Sequence, residues 1–266
     1  MEIGFSAYFV RRENVLTLLE EALEKGITFF ELPYEIPYLE IMDSGLFSEV
    51  RRFKDMGASF SLHGPWIETN LGSLFEEIRA FSRERILRSI DLAESLGLNP
   101  LIIHPGFSFF KEEEIRGLSK RYFFEELAFV VHYAREKGVN LCIENVPSAF
   151  SLFHAINDFS EIKEKFALNI CYDVGHSLIL KNQKHVRSPE DSIIQEIKDY
   201  ETDIIHVHLH NNYGKADDHL LYSGIFDIKK VLGGLRKASF KGRIVIESED
   251  VERYGIEYLL GWLNSE

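Results

Sequence analysis

Short apolar runs alternate with longer amphipathic stretches along the chain, and the alternation repeats eight times. The runs at 2–6, 27–32, 59–63, 100–105, 139–145, 168–173, 203–209 and 243–248 read as strands. Several of them, such as LIIH, LCIEN and RIVIE, are continuously apolar, as burial on both faces of a parallel sheet requires. Between them the apolar positions recur at helical spacing. NVLTLLEEALEKG, RERILRSIDLAESLG and YFFEELAFVVHYAREKG end in Gly26, Gly97 and Gly138, where a helix C-terminus favours glycine. The final VERYGIEYLLGWL reads as one more helix. Eight strand–helix units predict a closed (β/α)8 TIM barrel in one domain, class α/β, ahead of an open doubly wound sheet.

The length of 266 residues suits that fold, which needs about 250. With 45% hydrophobic and 27% charged residues the composition is that of a globular chain. No apolar run approaches the roughly 18 residues of a membrane span, so no membrane partner is expected. The opening MEIGFSAYF reads as a first strand rather than a cleaved leader, giving a cytoplasmic expectation. Cys142 and Cys171 fall inside apolar strands and read as buried thiols. A net charge of −13 argues against a broadly basic, nucleic-acid-coating surface. No GxGxxG follows the first strand and no GxxxxGK[ST] occurs, which weakens a nucleotide-binding reading.

The chemistry is positional. His63, His104, Glu144, Asp173, His208 and Glu247 fall at or near the C-terminal tips of six predicted strands. In a parallel barrel those tips share one rim, where catalytic groups collect. Side-chain alternation points His206, His208 and His210 the same way. Of these, His208 suits a ligand, His206 would lie one layer deeper as a hydrogen-bonded partner, and His210 would lie out in the loop. Asp173 and His176 can reach one ion if Gly175 permits a sharp turn, and Asp217 with His219 forms a second such pair. Nitrogen and carboxylate oxygen without thiolate suit zinc or manganese, and disfavour calcium.

In order along nearly the whole chain, HGPWIETNLGS, HPG, EN, DVGH, HLHN, DDH and the last strand glutamate resemble the xylose isomerase-like TIM-barrel superfamily, AP endonuclease family 2. The resemblance to endonuclease IV implies up to three zinc ions held by His63, His104, Glu144, Asp173, His176, His208, Asp217, His219 and Glu247. It makes Glu144 and Glu247 the catalytic carboxylates of a phosphoester hydrolase acting on abasic DNA or a small phosphorylated molecule. The sugar and sugar-phosphate isomerases and epimerases of the same superfamily imply a smaller set, Glu144, Asp173, His208 and Glu247, around one manganese-like ion. There Glu144 and Glu247 would remove and return a proton.

The hydrolase reading accounts for the histidines on strands three and four and for the Asp217–His219 pair. Basic residues at Arg11, Arg12, Lys111, Lys181, Lys184, Arg187 and Lys215 fall in predicted strand-to-helix loops. Lys181, Lys184, Arg187 and Lys215 are therefore expected to bind a phosphorylated substrate. The isomerase reading draws on ITFFELP, which resembles the strand-two glutamate segment of that branch and aims Glu31 inward, and on Gly175, where endonuclease IV usually has cysteine. Trp66 suits three roles: a stacking surface for a base, an apolar wall against a sugar, or a cover for the mouth. His206 and Glu31 are expected to support the ligands from behind. A non-catalytic scaffold would be expected to have lost ligands, and none is missing.

Overall fold

A computed structural model describes residues 1–35 and 44–265; side chains 44–47 are not described. Eight strands, β1 (Glu2–Ser6), β2 (Phe29–Pro33), β3 (Ser59–His63), β4 (Leu101–Ile103), β5 (Leu141–Glu144), β6 (Asn169–Asp173), β7 (Ile204–Leu209) and β8 (Arg243–Ile246), follow one another around a closed barrel. Every neighbouring pair is parallel, and β8 closes on β1 with Phe5 opposite Ile246. Helices α1 (Val15–Glu24), α2 (Ser44–Asp55), α3 (Glu76–Leu96), α4 (Glu113–Glu136) and α5 (Ser160–Phe166) return the chain between the first six strands. Two helices, α6 (Val174–Gln183) and α7 (Pro189–Asp199), lie between β6 and β7; α8 (Ile228–Lys237) precedes β8.

Alternation divides the strand residues between two environments. Outward residues such as Phe30, Leu62, Ile103, Ile143, Val207 and Ile244 join the helices in one continuous apolar core. Inward, Ile102, Cys142 and Cys171 form a small separate apolar plug. The foot of the barrel is closed by Arg243, whose guanidinium lies 4.5 Å over the Phe29 ring and donates to Glu2 and the Asn99 carbonyl. Above the plug the interior is polar, with Glu31, Ser61, His206 and His208 buried. This departs from the branched aliphatics that usually fill such barrels.

Gly26, Gly97 and Gly138 take positive φ just beyond α1, α3 and α4, as the sequence predicts. The predicted last helix is instead broken at Gly255, φ 82°, into α9 (Asp250–Tyr254) and α10 (Ile256–Asn264). Several strands are shorter than the apolar runs. β4 pairs only three residues with β5, so His104 stands just past the ladder, and Glu247 follows the end of β8 by one residue. Among the described residues no helix is long and apolar enough to cross a membrane.

Two glycines carry opposite consequences. A Cβ on Gly4 would lie 1.9 Å from the Phe29 carbonyl oxygen of the adjoining strand, whereas one on Gly117, inside α4, would meet nothing within 4 Å. Thermal or urea unfolding should therefore show Gly4→Ala losing roughly 1–3 kcal/mol or more through backbone displacement. Gly117→Ala should gain about 1 kcal/mol from helix propensity, and equal effects of the two substitutions would contradict the packing.

Candidate metal centre

The strand tips bring together all nine predicted donors, in overlapping groups whose ligand atoms lie within 4.8 Å of one another. His63, His104 and Glu144 form one group; Glu144, Asp173 and His176 another; His63, His208 and Glu247 a third. A fourth is His176, Asp217 and His219 together with His210, and Cys171, His206 and His208 form a further group that includes a thiol.

His210 corrects the expectation that it lies out in the loop. It is fully buried, with Nε2 3.2 Å from Asp173 and 3.4 Å from Asp217, and its ring stacks on His219 at 4.2 Å. The signal was present in the sequence, since residue 210 continues the inward alternation of 206 and 208. Gly175 is reinterpreted with it. It sits in the first turn of α6 without positive φ, and a Cβ there would fall 2.0 Å from the His210 ring. The glycine makes room for an imidazole rather than for a turn.

Local structure aims each donor. Asp173 ends β6 and caps α6: Oδ1 accepts from the His176 amide at 2.6 Å, leaving Oδ2 turned inward. The Asn145 side chain accepts from the Asp173 amide and donates to the Asp173 carbonyl, and its own carbonyl accepts from His176 Nδ1 at 2.7 Å. His63 Nδ1 donates to the Gly64 carbonyl and His219 Nδ1 to the Glu247 carbonyl. A carbonyl only accepts, so those nitrogens carry hydrogen, and the other ring nitrogens face the cluster, where a cation would take their lone pairs as their protons leave. Behind His208, Glu31 Oε1 lies 3.0 Å from Nε2, while Glu31 Oε2 takes Ser61 and His206, each at 2.9 Å. His219 holds φ at 47°, a strained backbone for a non-glycine residue of the kind that collects at functional sites.

The donor atoms fit a cation better than they fit one another. His104 Nε2, Glu144 Oε2, Asp173 Oδ2, His208 Nδ1 and His210 Nε2 are buried without a hydrogen-bond partner. His104 Nε2 lies 3.1 Å from Glu144 Oε2, His210 Nε2 3.2 Å from Asp173 Oδ1 and His208 Nδ1 3.3 Å from Glu144 Oε1. Ligand atoms around one tetrahedral or octahedral divalent ion lie on the order of 3.0–3.4 Å apart. Buried polar atoms without partners are otherwise rare because each costs its full desolvation.

Charge runs in both directions across the cluster. Burial disfavours a charged His63, but the Glu144 carboxylate beside it prevails and holds the ring up at about 9. Burial likewise pushes Glu144 upward, yet His208 and His104 hold it well below the usual carboxylate range. Glu247, where burial dominates with Glu144 close by, is held above that range.

A cavity of about 150 Å³ opens onto the donors, walled by Tyr8, Phe9, Trp66 and Val146. Trp66 is half-exposed, stacks on His104 at 5.7 Å, and has its amide fixed by Glu35, which accepts from the Trp66 and Ile67 amides and from Arg85. Sequence reasoning missed Glu35, because nothing local marks a contact made across the mouth. The basic residues are where the expectation fails. Lys181 is buried on the outer side of α6, 2.6 Å from Glu196, its charge already compensated. Lys184 and Arg187 are exposed beyond the far end of α6, and Lys215 is exposed on the loop leading to Asp217. None of the four, and no other described lysine or arginine, lines the cavity. His132 on α4 and His154 in the loop after β5 stand away from the donors.

Among known proteins, the uncharacterized protein MJ1614 of Methanocaldococcus jannaschii is 26% identical over 255 residues, 95% of this chain and 94% of its own. A crystal structure of a D-tagatose 3-epimerase-like protein superposes with a TM-score of 0.80 at 23% identity, covering 99% of this chain and 98% of that one. The 3-keto-D-glucoside 4-epimerase YcjR from E. coli superposes at 0.74 with 18% identity, over 99% and 98% respectively. At these identities the likeness is one of fold. The profile of one family, described as xylose isomerase-like TIM barrel, matches residues 19–266, from within α1 through every later strand and donor, and the chain belongs to that family.

Proposed function

We propose that this chain is a divalent-cation-dependent phosphoester hydrolase acting on a small phosphorylated substrate through a centre of more than one ion. The observation that carries the reading is the placement of Glu144. One oxygen lies 3.3 Å from His208 Nδ1, and the other lies 3.1 Å from His104 and 3.4 Å from His63. A carboxylate with both oxygens among imidazole nitrogens of different groups suits a bridge between ions. The further group at His176, Asp217 and His219 has no use in a one-ion isomerase.

Bound cations would supply a hydroxide near neutral pH and neutralise the attacking and leaving oxygens of the ester. The chain's own residues hold and orient. His63, His104 and Glu144 form one donor group, Asp173, His208 and Glu247 with Glu144 a second, and His176, Asp217 and His219 a third. Tyr8, Phe9 and Trp66 restrict water at the mouth. The cavity is well below the roughly 300–1,000 Å³ of common ligand pockets, which favours a small phosphorylated molecule over an abasic site in duplex DNA. With no described lysine or arginine in that cavity, attraction for phosphate would come from the ions.

Sugar or sugar-phosphate epimerisation is the second reading and the one that the comparisons favour over hydrolysis: the structural neighbours carry epimerase names, and Glu144 and Glu247 both face His208 Nδ1, at 3.3 and 3.5 Å. Elemental analysis and two assays separate them. The purified protein should hold more than one zinc- or manganese-like ion per chain and cleave a p-nitrophenyl phosphodiester, with Glu247→Gln lowering kcat roughly a hundredfold or more. One ion per chain, with deuterium exchange into a ketose and no ester cleavage, would establish epimerisation instead.

Substitutions address the donors separately from the fold. Asparagine still caps a helix, so Asp173→Asn should preserve α6 and lose metal, as should His208→Ala; His132→Ala and His154→Ala should retain it. Comparable metal loss in all four would rule the centre out. Because carboxylates hold the metal-free His63 ring protonated up to about pH 9, cation binding must displace protons below that pH. Calorimetry in buffers of different ionisation enthalpy should show proton release, and affinity should rise as pH increases from about 6 to 9. A pH-independent affinity would contradict the charge arrangement.

A further inference from the structure

A row of rings begins at the rim of the metal cavity. Trp66, His104 and Val146 wall both that cavity and a second one of about 520 Å³, which continues over Phe107, Phe109 and Phe150. Phe109 is 67% exposed, Phe150 41% and Trp66 40%. The Phe109 ring centroid lies 5.1 Å from that of Phe107 and 5.2 Å from that of Phe150, so the rings form one surface. Neither lysine nor arginine lines this second cavity, and its one acid, Glu68, stands in a strained backbone at φ 58°.

The loops that carry the rings are tied to one another. Phe107 pairs with Ser151 as a short antiparallel bridge, Ser108 donates to the Phe150 carbonyl at 2.8 Å, and Leu152 donates to the Gly106 carbonyl at 2.8 Å. Asn70 ties the loop after β3 to the same structure: its Oδ1 accepts from Gly72 and Phe107, and its Nδ2 donates to the Phe107 carbonyl. The two loops abut backbone to backbone, for a Cβ on Gly106 would fall 2.8 Å from the Gly72 nitrogen. Holding apolar rings rigidly in water gains nothing for folding, since their burial is withheld. A pre-ordered surface of this kind instead lowers the cost of binding another ring.

We propose that Trp66, Phe109 and Phe150 form a subsite for an uncharged, flat ring carried by the substrate, an aryl or similar group, whose polar reacting end lies at the metal donors. Continuity through Trp66, His104 and Val146 sets the occupant as part of the same small molecule. The inference rests on the donor cluster being the reacting centre, and not on which reaction occurs there.

Two matched pairs of probes test it on the metal-loaded protein: phenyl against methyl esters of methylphosphonate, and phenyl against methyl β-D-glucoside, each titrated calorimetrically. The phenyl member of at least one pair should bind about tenfold more tightly. The Phe109→Ala/Phe150→Ala double variant, which alters exposed rings, should lose that preference with an unchanged unfolding midpoint, and Phe109→Ala alone should lose part of it. A preference confined to the glucosides would support the subsite while overturning the phosphoester reading. Equal binding within the phosphonate pair, with no preference among the glucosides, would overturn the subsite and leave that reading standing. No binding by either pair would overturn the subsite, as would a wild-type dimer that the double variant dissociates, since the rings would then cover one another between copies.

Discussion

The structure turns on one electrostatic constraint: carboxylates that have left water must find positive charge at one rim of the barrel. Glu144, Asp173 and Glu247 are buried there, with Glu31 one layer beneath, all within a ring of histidines. An unpaired carboxylate in such a place would be prohibitively costly, and imidazoles alone satisfy the set incompletely. Five of the buried atoms left without hydrogen bonds, on His104, Glu144, Asp173, His208 and His210, lie in the cluster. A divalent ion resolves both deficits, supplying charge and taking up lone pairs. In its absence His63 and His176 hold protons that ordinary histidines would release near neutral pH.

That constraint explains why the barrel departs from an aliphatic filling. Glu31, His206 and Ser61 occupy interior positions that lie directly below His208, and their contacts fix the imidazole that faces Glu144 and Glu247. Asn145 performs a similar service for Asp173 and His176 through both its side chain and its carbonyl. Rigidity is transmitted to the rim by hydrogen bonds from the strands themselves. The strand ladder therefore sets donor positions more tightly than loops could.

Function is then divided between two kinds of surface. The cavity over the donors is small and walled by Tyr8, Phe9, Trp66 and Val146, while the basic residues of the rim are turned elsewhere or paired, Lys181 with Glu196 and Arg11 with Glu252. On the proposed reading ionic recognition belongs to the candidate metal donors, and shape and ring contact to the aromatic loops after β3, β4 and β5. The two oxygens of Glu144, facing separate imidazole groups, and the elevated Glu247 give the two glutamates different characters although they stand at equivalent strand tips.

The amino-acid sequence by itself determined the barrel and the six polar residues at its strand tips, because strand alternation and the position of a residue at the end of an apolar run are local properties that survive folding; the full set of nine candidate donors followed from the family resemblance. It also placed His206 and Glu31 behind His208, since both follow from counting residues along a strand. Only the tertiary structure decided what depends on distance across the rim. His210 points inward against Gly175, Lys181 turns to Glu196, Glu35 clamps the Trp66 loop, and Asn70 joins two aromatic loops. Alternation could aim His210 inward, but its partner, like those of the others, lies on a different segment, where periodicity carries no information and where burial, charge pairing and space for a ring select the partner.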